Sequence, residues 1–341
     1  MKGCEKRIIV MYKGFSEKHD DSIPIEKIES IKLIQDVLNF LTRKEIIIPK
    51  MYFLYDHIKK YNPDIIFIKI TKGLRFFLPT YLSIIIGRLF RIKIIILEQE
   101  RKGTSLYRRV ILKLYSRSLI MLKVNAIIVP TLDTYNIFSE FKDIKTYYIP
   151  FAYKNGFEVS TVKKNMIDLL TIGKFTKRKN QILLLKAFSK IHNKYDVHLT
   201  IVGQEKDPHI LRDLKDFIEN HSLKEKITIK TNVPYDRMGE IYSGSDIFIL
   251  PSYAEPAAYS IVESMYYGIP VICSDDCGTR CYVIQGENGF VFKNNNEKDL
   301  IKKIEMTIRN IEIMRENTTR MYKMNHQEKI YYKRLKELRI L

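Results

Sequence analysis

The chain reads as an α/β protein of two doubly wound, Rossmann-like domains facing each other across a cleft. Three observations predict this. Short runs rich in Ile and Val alternate with longer segments of helical period. The runs are apolar almost throughout, as strands of a parallel sheet covered on both faces must be. The alternation occurs twice in 341 residues, a length that gives each set its own core.

The elements follow in order. In the first set, "KRIIVMY" (6–12), "PDIIFIKI" (63–70), "IKIIILEQ" (92–99), "NAIIVPT" (125–131) and "KTYYIPF" (145–151) are strands. Helical period fills 24–41 and 105–122. Periodicity lapses over "PFAYKNGFEVSTVKKN" (150–165), which sets the boundary between domains 1–155 and 156–316. In the second set, strands fall at 166–173, 196–203, 226–233, 245–252, 269–275 and 289–292, and helices at 179–194, 208–221, 236–243, 258–267 and 297–315. A charged helix over 317–341, with no strand after it, packs back on the first domain.

Composition narrows the function. Apolar residues make up 45% of the chain, which excludes a disordered one. The net charge is +19, and 1–155 holds 28 Lys and Arg against 15 Asp and Glu. The first half therefore meets something anionic. Cys4, Cys273, Cys277 and Cys281 are too few and too clustered for a disulfide framework. They lack the paired spacing and the neighbouring His of a zinc site, so they read as thiols in a reducing cytoplasm. The N-terminal apolar stretch is too short for a signal peptide, and no run is long enough to span a bilayer. "FFLPTYLSIIIG" (76–87) comes nearest and is broken by Pro79. The expectation is a cytoplasmic protein, with any membrane contact peripheral.

Ligands of open parallel sheets sit beyond the carboxyl ends of the strands. There, "PSYAEPAAYSIVESMYYGIPV" (251–271) carries two glutamates in uncharged surroundings. Glu255 stands on the loop after a strand. Glu263 stands in the helix that follows, which Gly268 closes and Pro270 stops. The backbone N–H groups of Ala257, Ala258, Tyr259 and Ser260 open that helix and offer an anion site. A carboxylate, a phosphate cradle and a second carboxylate match a nucleoside-diphosphate sugar. Standing alone, Glu255 would serve equally as a partner for the helix dipole. A second segment, "LLTIGKFTKRKNQILLLKAF" (169–188), ends its strand at Gly173 and opens a basic loop. Lys174 and Lys179 bracket the loop, where two cations would neutralise a diphosphate and a leaving nucleotide. Lys177 and Arg178 read as a solvated turn.

These residues resemble the family 4 glycosyltransferases, group 1 type, of GT-B fold. The likeness runs through "IGKFTKRKNQILLLKAF", "LTIVGQ" (199–204), "YSGSDIFILPSYAEP" (242–256), "ESMYYGIPVICSD" (263–275) and "GENGFVF" (286–292), in the family's order. It implies retaining transfer of a sugar from a nucleoside-diphosphate sugar to a glycan or lipid-linked acceptor, with no cofactor and no bound metal. The chain also lacks an Asp-x-Asp pair. On this likeness Glu255 contacts the donor sugar's hydroxyls and Glu263 the ribose hydroxyls. Gly173 belongs to the donor site. Lys174 stands where the family usually has Arg, and with Lys179 it clamps the diphosphate. Ala258 stands where Gly is frequent, Cys277 where the first of two glycines is common, and Cys281 where a Glu often follows. Domain 156–316 becomes the donor domain and 1–155 the acceptor domain. In the latter, Glu98, Gln99 and Glu100 replace a usual His, which makes Glu98 and Glu100 acceptor-side candidates. The basic acceptor half fits a polyprenyl-diphosphate-linked glycan at the inner membrane face, in bacterial surface polysaccharide (lipopolysaccharide or capsule) synthesis. The segment 107–124, with Arg108, Arg109, Lys113, Arg117 and Lys123 among bulky apolar residues, reads as a sheet-covering helix with a basic outer face or as a contact with an anionic membrane.

Other readings keep part of this picture. A GT-B sugar-nucleotide epimerase or a phosphorylase would share the fold. An epimerase needs further acid–base His or Asp residues, and the seven His fall on no strand-end motif. A catalytically weak binder of sugar nucleotides or anionic surfaces would share the site. A nucleic-acid binder would show a basic stripe with interleaved aromatics and a known motif, and no such motif is present.

Overall fold

The computed structural model describes residues 8–11, 58–59, 62–69, 77–98, 106–154 and 166–339. The chain forms two compact units, Met1–Pro150 with Glu328–Leu341 and Phe151–Gln327. The helix read at 24–41, the linker 155–165 and Glu100 lie outside the described residues.

The first unit holds β1 (Ile8–Met11), β2 (Ile65–Lys69), β3 (Lys93–Leu97), β4 (Ala126–Val129) and β5 (Thr146–Tyr148), in that order across one sheet. Every pairing is parallel. Helices α1 (Phe77–Leu89), α2 (Leu106–Met121) and α3 (Leu132–Phe138) accompany it. Ile66, Ile94 and Ile127 of the strands pack with Ile84, Leu119 and Phe138 of the helices. The sequence reading missed α1 and α3. Pro79, read as a breaker, is the third residue of α1, where a missing N–H costs no helical bond. Thr131 caps α3 by accepting from the Thr134 N–H at 3.4 Å.

The second unit holds β6 (Ile167–Ile172), β7 (Val197–Gly203), β8 (Ile227–Thr231), β9 (Ile247–Leu250), β10 (Val271–Ser274) and β11 (Gly289–Phe292). Their order, β11-β10-β9-β6-β7-β8, is that of a doubly wound sheet. Chain direction across the sheet reverses between β6 and β9, and that switch point is where such sheets bind ligands. Helices α4 (Gln181–Ile191), α5 (Pro208–Asn220), α6 (Met238–Ser243), α7 (Ser260–Tyr266) and α8 (Glu297–Arg309) cover it. Leu169, Leu199, Ile247 and Ile249 meet Leu184, Phe188, Leu214 and Ile304 in one core.

The tail departs from its predicted shape. Instead of helices at 297–315 and 317–341, α8 ends at Arg309 with Asn310 as its cap residue, and α9 (Ile311–Asn325) and α10 (Glu328–Glu337) follow. His326 makes the second break. It is buried, its Nδ1 lies 2.7 Å from the Phe151 carbonyl, and its own carbonyl accepts from the Tyr153 N–H at 3.0 Å. The side chain that pins the start of the second unit is thus the one at which the helix ends. No helix among the described residues is long and apolar enough to cross a membrane.

Candidate active site

The loops after β6 and β9 flank the switch point, and each contributes one half of a charged cluster. After β6, the chain makes a 3-10 turn, Lys177–Lys179, ended by Asn180 in the left-handed region at φ 53°. Asn tolerates that conformation better than most residues. The turn carries Lys179 back over Gly173. A Cβ on Gly173 would come 2.9 Å from Lys179 Cδ, so the glycine makes the space in which the lysine stem lies. The Gln181 side chain pins the loop by donating to the Gly173 carbonyl at 3.2 Å and the Lys174 carbonyl at 3.3 Å.

After β9, the chain passes Ser252 and places Ala254 at φ 50°, a conformation few non-glycine residues adopt. Asp276, just past β10, holds this bend: its carboxylate accepts from the Ala254 N–H at 2.7 Å and its carbonyl from the Glu255 N–H at 3.2 Å. Gly278 N–H donates to the Glu255 carbonyl at 2.8 Å. The loop after β10 thus fixes the Glu255 backbone through both its N–H and its carbonyl. Its side chain is buried and accepts from Lys179 Nζ at 2.7 Å and from the Arg178 guanidinium. The Tyr253 N–H donates to the Arg178 carbonyl at 3.0 Å, stitching the two loops together.

Burial works against the charge on Glu255. Lys179 and Arg178 outweigh it and hold the carboxyl below the usual carboxylate range. A depressed folded pKa means this pair contributes its full stability above the unfolded value and loses it as pH falls through the lower, folded one. We expect the stability gap between the native chain and Glu255→Gln, measured by urea unfolding, to stay level from neutral pH down to about pH 5 and to shrink below that. A gap that already closes between pH 7 and 6 would mean the carboxylate is not held by these cations.

Glu263 sits in a different setting. It is buried, accepting from the Tyr242 hydroxyl at 2.7 Å and the Tyr235 hydroxyl at 3.2 Å. Burial, then the Glu263 charge, push both phenols above the ordinary tyrosine value, so each stays a proton donor. Tyr242 is stacked on Tyr267 at 5.3 Å, which fixes its hydroxyl. A buried carboxylate oriented by two phenol donors suits the recognition of neutral hydroxyls.

Three sequence expectations change. Arg178, read as part of a solvated turn, reaches Glu255, because the tight turn and Asn180 aim residues 178 and 179 together. The helix expected from Ala258 begins at Ser260, with Tyr259 as its cap residue. The Ala258 N–H is not left over for an anion, since it donates to the buried Thr279 hydroxyl at 3.1 Å. The anion cradle expected over Ala257, Ala258, Tyr259 and Ser260 therefore loses one of its amides. Tyr259 also turns its hydroxyl to the Ala152 carbonyl at 2.5 Å. Lys174 is exposed, while the cations on Glu255 are Lys179 and Arg178. Tyr235 and Tyr242 were not found from the sequence, because they lie on other elements and only the fold brings them to Glu263.

In the first unit, Glu98 follows β3, is buried, and accepts from the Tyr115 hydroxyl at 3.2 Å. Cys273 and Cys277 are buried free thiols, and Cys277 contacts Thr279 Oγ1 at 3.2 Å. Among the described residues no three or more His, Cys, Asp or Glu are grouped to hold a metal ion.

A doubly wound parallel sheet with two buried carboxylates and a cation cluster beside its switch point defines the class: an α/β protein whose polar residues gather where such sheets bind ligands. Comparison narrows it, for the family described as "Glycosyl transferases group 1" matches residues 154–324, half of the chain, and the chain belongs to that family. An uncharacterized glycosyltransferase of Haemophilus influenzae is 28% identical over 149 residues, covering 42% of this chain and 40% of that protein. A glycogen synthase of Lactiplantibacillus plantarum is 32% identical over 110 residues, covering 32% of this chain and 22% of that one. The matches thus span two fifths or less of these curated relatives. Among solved structures, a glycosyltransferase from Rickettsia africae superposes with a TM-score of 0.75 at 18% identity, covering 98% of this chain and 97% of that one. Anabaena HepE in complex with UDP and glucose gives 0.72 at 14% identity, covering 98% and 100%. At these identities the likeness is one of fold, and the fold is GT-B.

Proposed function

We propose that the chain transfers a sugar, with retention of anomeric configuration, from a nucleoside-diphosphate sugar to a glycan or lipid-linked acceptor. The observation that carries this reading is the Glu255–Lys179–Arg178 cluster at the switch point of the unit the family model matches. One carboxylate facing two cations leaves an excess positive charge, which a diphosphate neutralises. Lys179 and Arg178 then carry the charge that grows on the departing nucleotide, a task that elsewhere falls to a metal ion. Lys174, exposed at the rim, adds to the field that draws the donor in. Glu255, kept ionised, accepts from hydroxyls of the donor sugar. Glu263, aimed by Tyr242 and Tyr235, accepts from the ribose hydroxyls. Glu98 and Glu100 belong to the acceptor side, and the charge of residues 1–155 suits an anionic, polyprenyl-diphosphate-linked acceptor of bacterial surface polysaccharide synthesis at the inner membrane face.

Donor identity is tested by thermal shift with UDP-, GDP- and ADP-sugars, and with CMP-sugars as the single-phosphate control, since a ligand that binds only the folded state raises the melting temperature. HepE was solved with UDP and glucose, which puts UDP-sugars first. We expect one nucleotide class to stabilise the protein and Glu263→Gln to weaken that binding about tenfold or more by calorimetry. No shift with any of the diphosphate sugars would refute the donor reading, and unchanged affinity in Glu263→Gln would remove Glu263 from the site.

A further inference from the structure

A helix that covers a parallel sheet normally turns a polar face to solvent. Helix α1 does not. Leu82, Ile85 and Leu89, spaced three and four residues apart, form one stripe on its outer side, and Leu89 is 76% exposed. Phe90 continues the stripe beyond the helix end. On α2, Leu114 and Met121 are also exposed, Met121 by 82%. Of the ten large apolar side chains exposed among the described residues, these two helices and Phe90 carry six.

The two helices are neighbours. Both pack on the Ile84–Leu119 core, and the Tyr81 hydroxyl meets that of Ser118. They join strands β2, β3 and β4 in sequential order, and right-handed crossovers place such helices on one face of the sheet.

The charges that the two helices and the turns after them carry have one sign. Residues 77–97 and 106–125 contain no Asp or Glu. Arg91, Arg117 and Lys123 are exposed, and Arg88 lies in the last turn of α1. An apolar stripe on two helices whose only charged residues are cations does not suit a second copy of the chain, since pairing it with itself would set arginine against arginine. It does not suit nucleic acid either, because α1 presents aliphatic side chains where phosphates and bases call for polar and aromatic ones. Aliphatic side chains that enter the acyl boundary, with arginines and lysines at headgroup level, suit an anionic bilayer.

We propose that the outer face of α1 and α2 is a docking surface for an anionic lipid membrane, with Leu82, Ile85 and Leu89 inserting and Arg91, Arg117 and Lys123 pairing with headgroups. This deepens the reading above by naming the surface on which a lipid-linked acceptor is met. It differs from the sequence expectation for 107–124 by making α1 the inserting element.

The test uses the full chain without donor, so its outcome is separate from that of the donor screen. Flotation with vesicles of phosphatidylcholine alone is compared with vesicles carrying about a third phosphatidylglycerol, at low and high salt. Binding is expected only to the anionic vesicles and is expected to weaken with salt. Leu89→Glu and Ile85→Glu should each lower partitioning about tenfold or more, and Arg117→Glu should lower it several-fold. Ile313→Glu, an exposed apolar position in the second unit, should leave it unchanged. All four positions are at the surface, so melting temperatures should stay near the native value, and a variant that melts early is replaced by its serine counterpart. Equal binding to neutral vesicles, or anionic binding insensitive to Ile85 and Leu89, overturns the proposal. So does a dimer that Leu89→Glu dissociates in a chain that binds no vesicles.

Discussion

Lys179→Met is expected to lower turnover with a nucleoside-diphosphate sugar by about two to three orders of magnitude while the protein stays folded. The ammonium lies 2.7 Å from Glu255, and its side chain is only 13% exposed, so its field is poorly screened. In the proposed reaction, departure of a nucleoside diphosphate would place new negative charge in this loop. A fixed cation there interacts more strongly with the transition state than with the bound donor, so its loss falls on kcat. Methionine keeps the stem that lies over Gly173 and removes only the charge. Arg178 remains on Glu255, which keeps that carboxylate from being left buried without a cation. Lys177→Met is the control, since Lys177 is exposed on the same turn. Steady-state kinetics with saturating donor decides the matter: if the two variants turn over alike, Lys179 does not act on the leaving group.

The strands were legible because a buried parallel strand has a composition that little else imitates. "LLTI", "IFIL" and "VICS" each lie within a buried strand of the second unit. Two helices of the first unit were not. Helix α3 has seven residues and no Gly or Pro to mark its end, whereas α7, of the same length, is closed by Gly268 and stopped by Pro270. Glu255 and Lys179 could be found as polar residues at the carboxyl ends of strands. Arg178 could not, because three cations run consecutively at 177–179 and only the backbone of Asn180 decides which two turn inward. An Asn closing a basic loop before a helix was the available signal. Tyr235 and Tyr242 lie 28 and 21 residues before Glu263, and no local pattern spans that gap.

Gly289→Ala is expected to cost about 4 kcal/mol or more and to lower the melting temperature by about 10 °C. Gly289 opens β11 and pairs with Val271 of β10. Its φ is 149°, and an added Cβ would overlap the Val271 carbonyl oxygen and come within 2.8 Å of the Val271 nitrogen. Backbone cannot swing away as a side chain can, so β10 and β11 must part. Around them the chain is already committed: Asn288 is buried, its amide donating to the Tyr282 carbonyl at 3.0 Å and its oxygen accepting from the Ile284 N–H at 2.7 Å. Gly286 supplies the comparison. Its φ of 82° is also positive, but nothing lies within 4 Å of where its Cβ would be, so Gly286→Ala should cost only about 1 kcal/mol of backbone strain. Calorimetry of both variants separates steric overlap from strain, and equal losses would show that the β10–β11 contact is not tight. The effect also reaches the site. β10 leads directly into Asp276, whose carboxylate and carbonyl hold Ala254 and Glu255. A displaced β10 therefore moves the anchor of Glu255, and the Gly289 variant should bind donor more weakly even at temperatures where it remains folded.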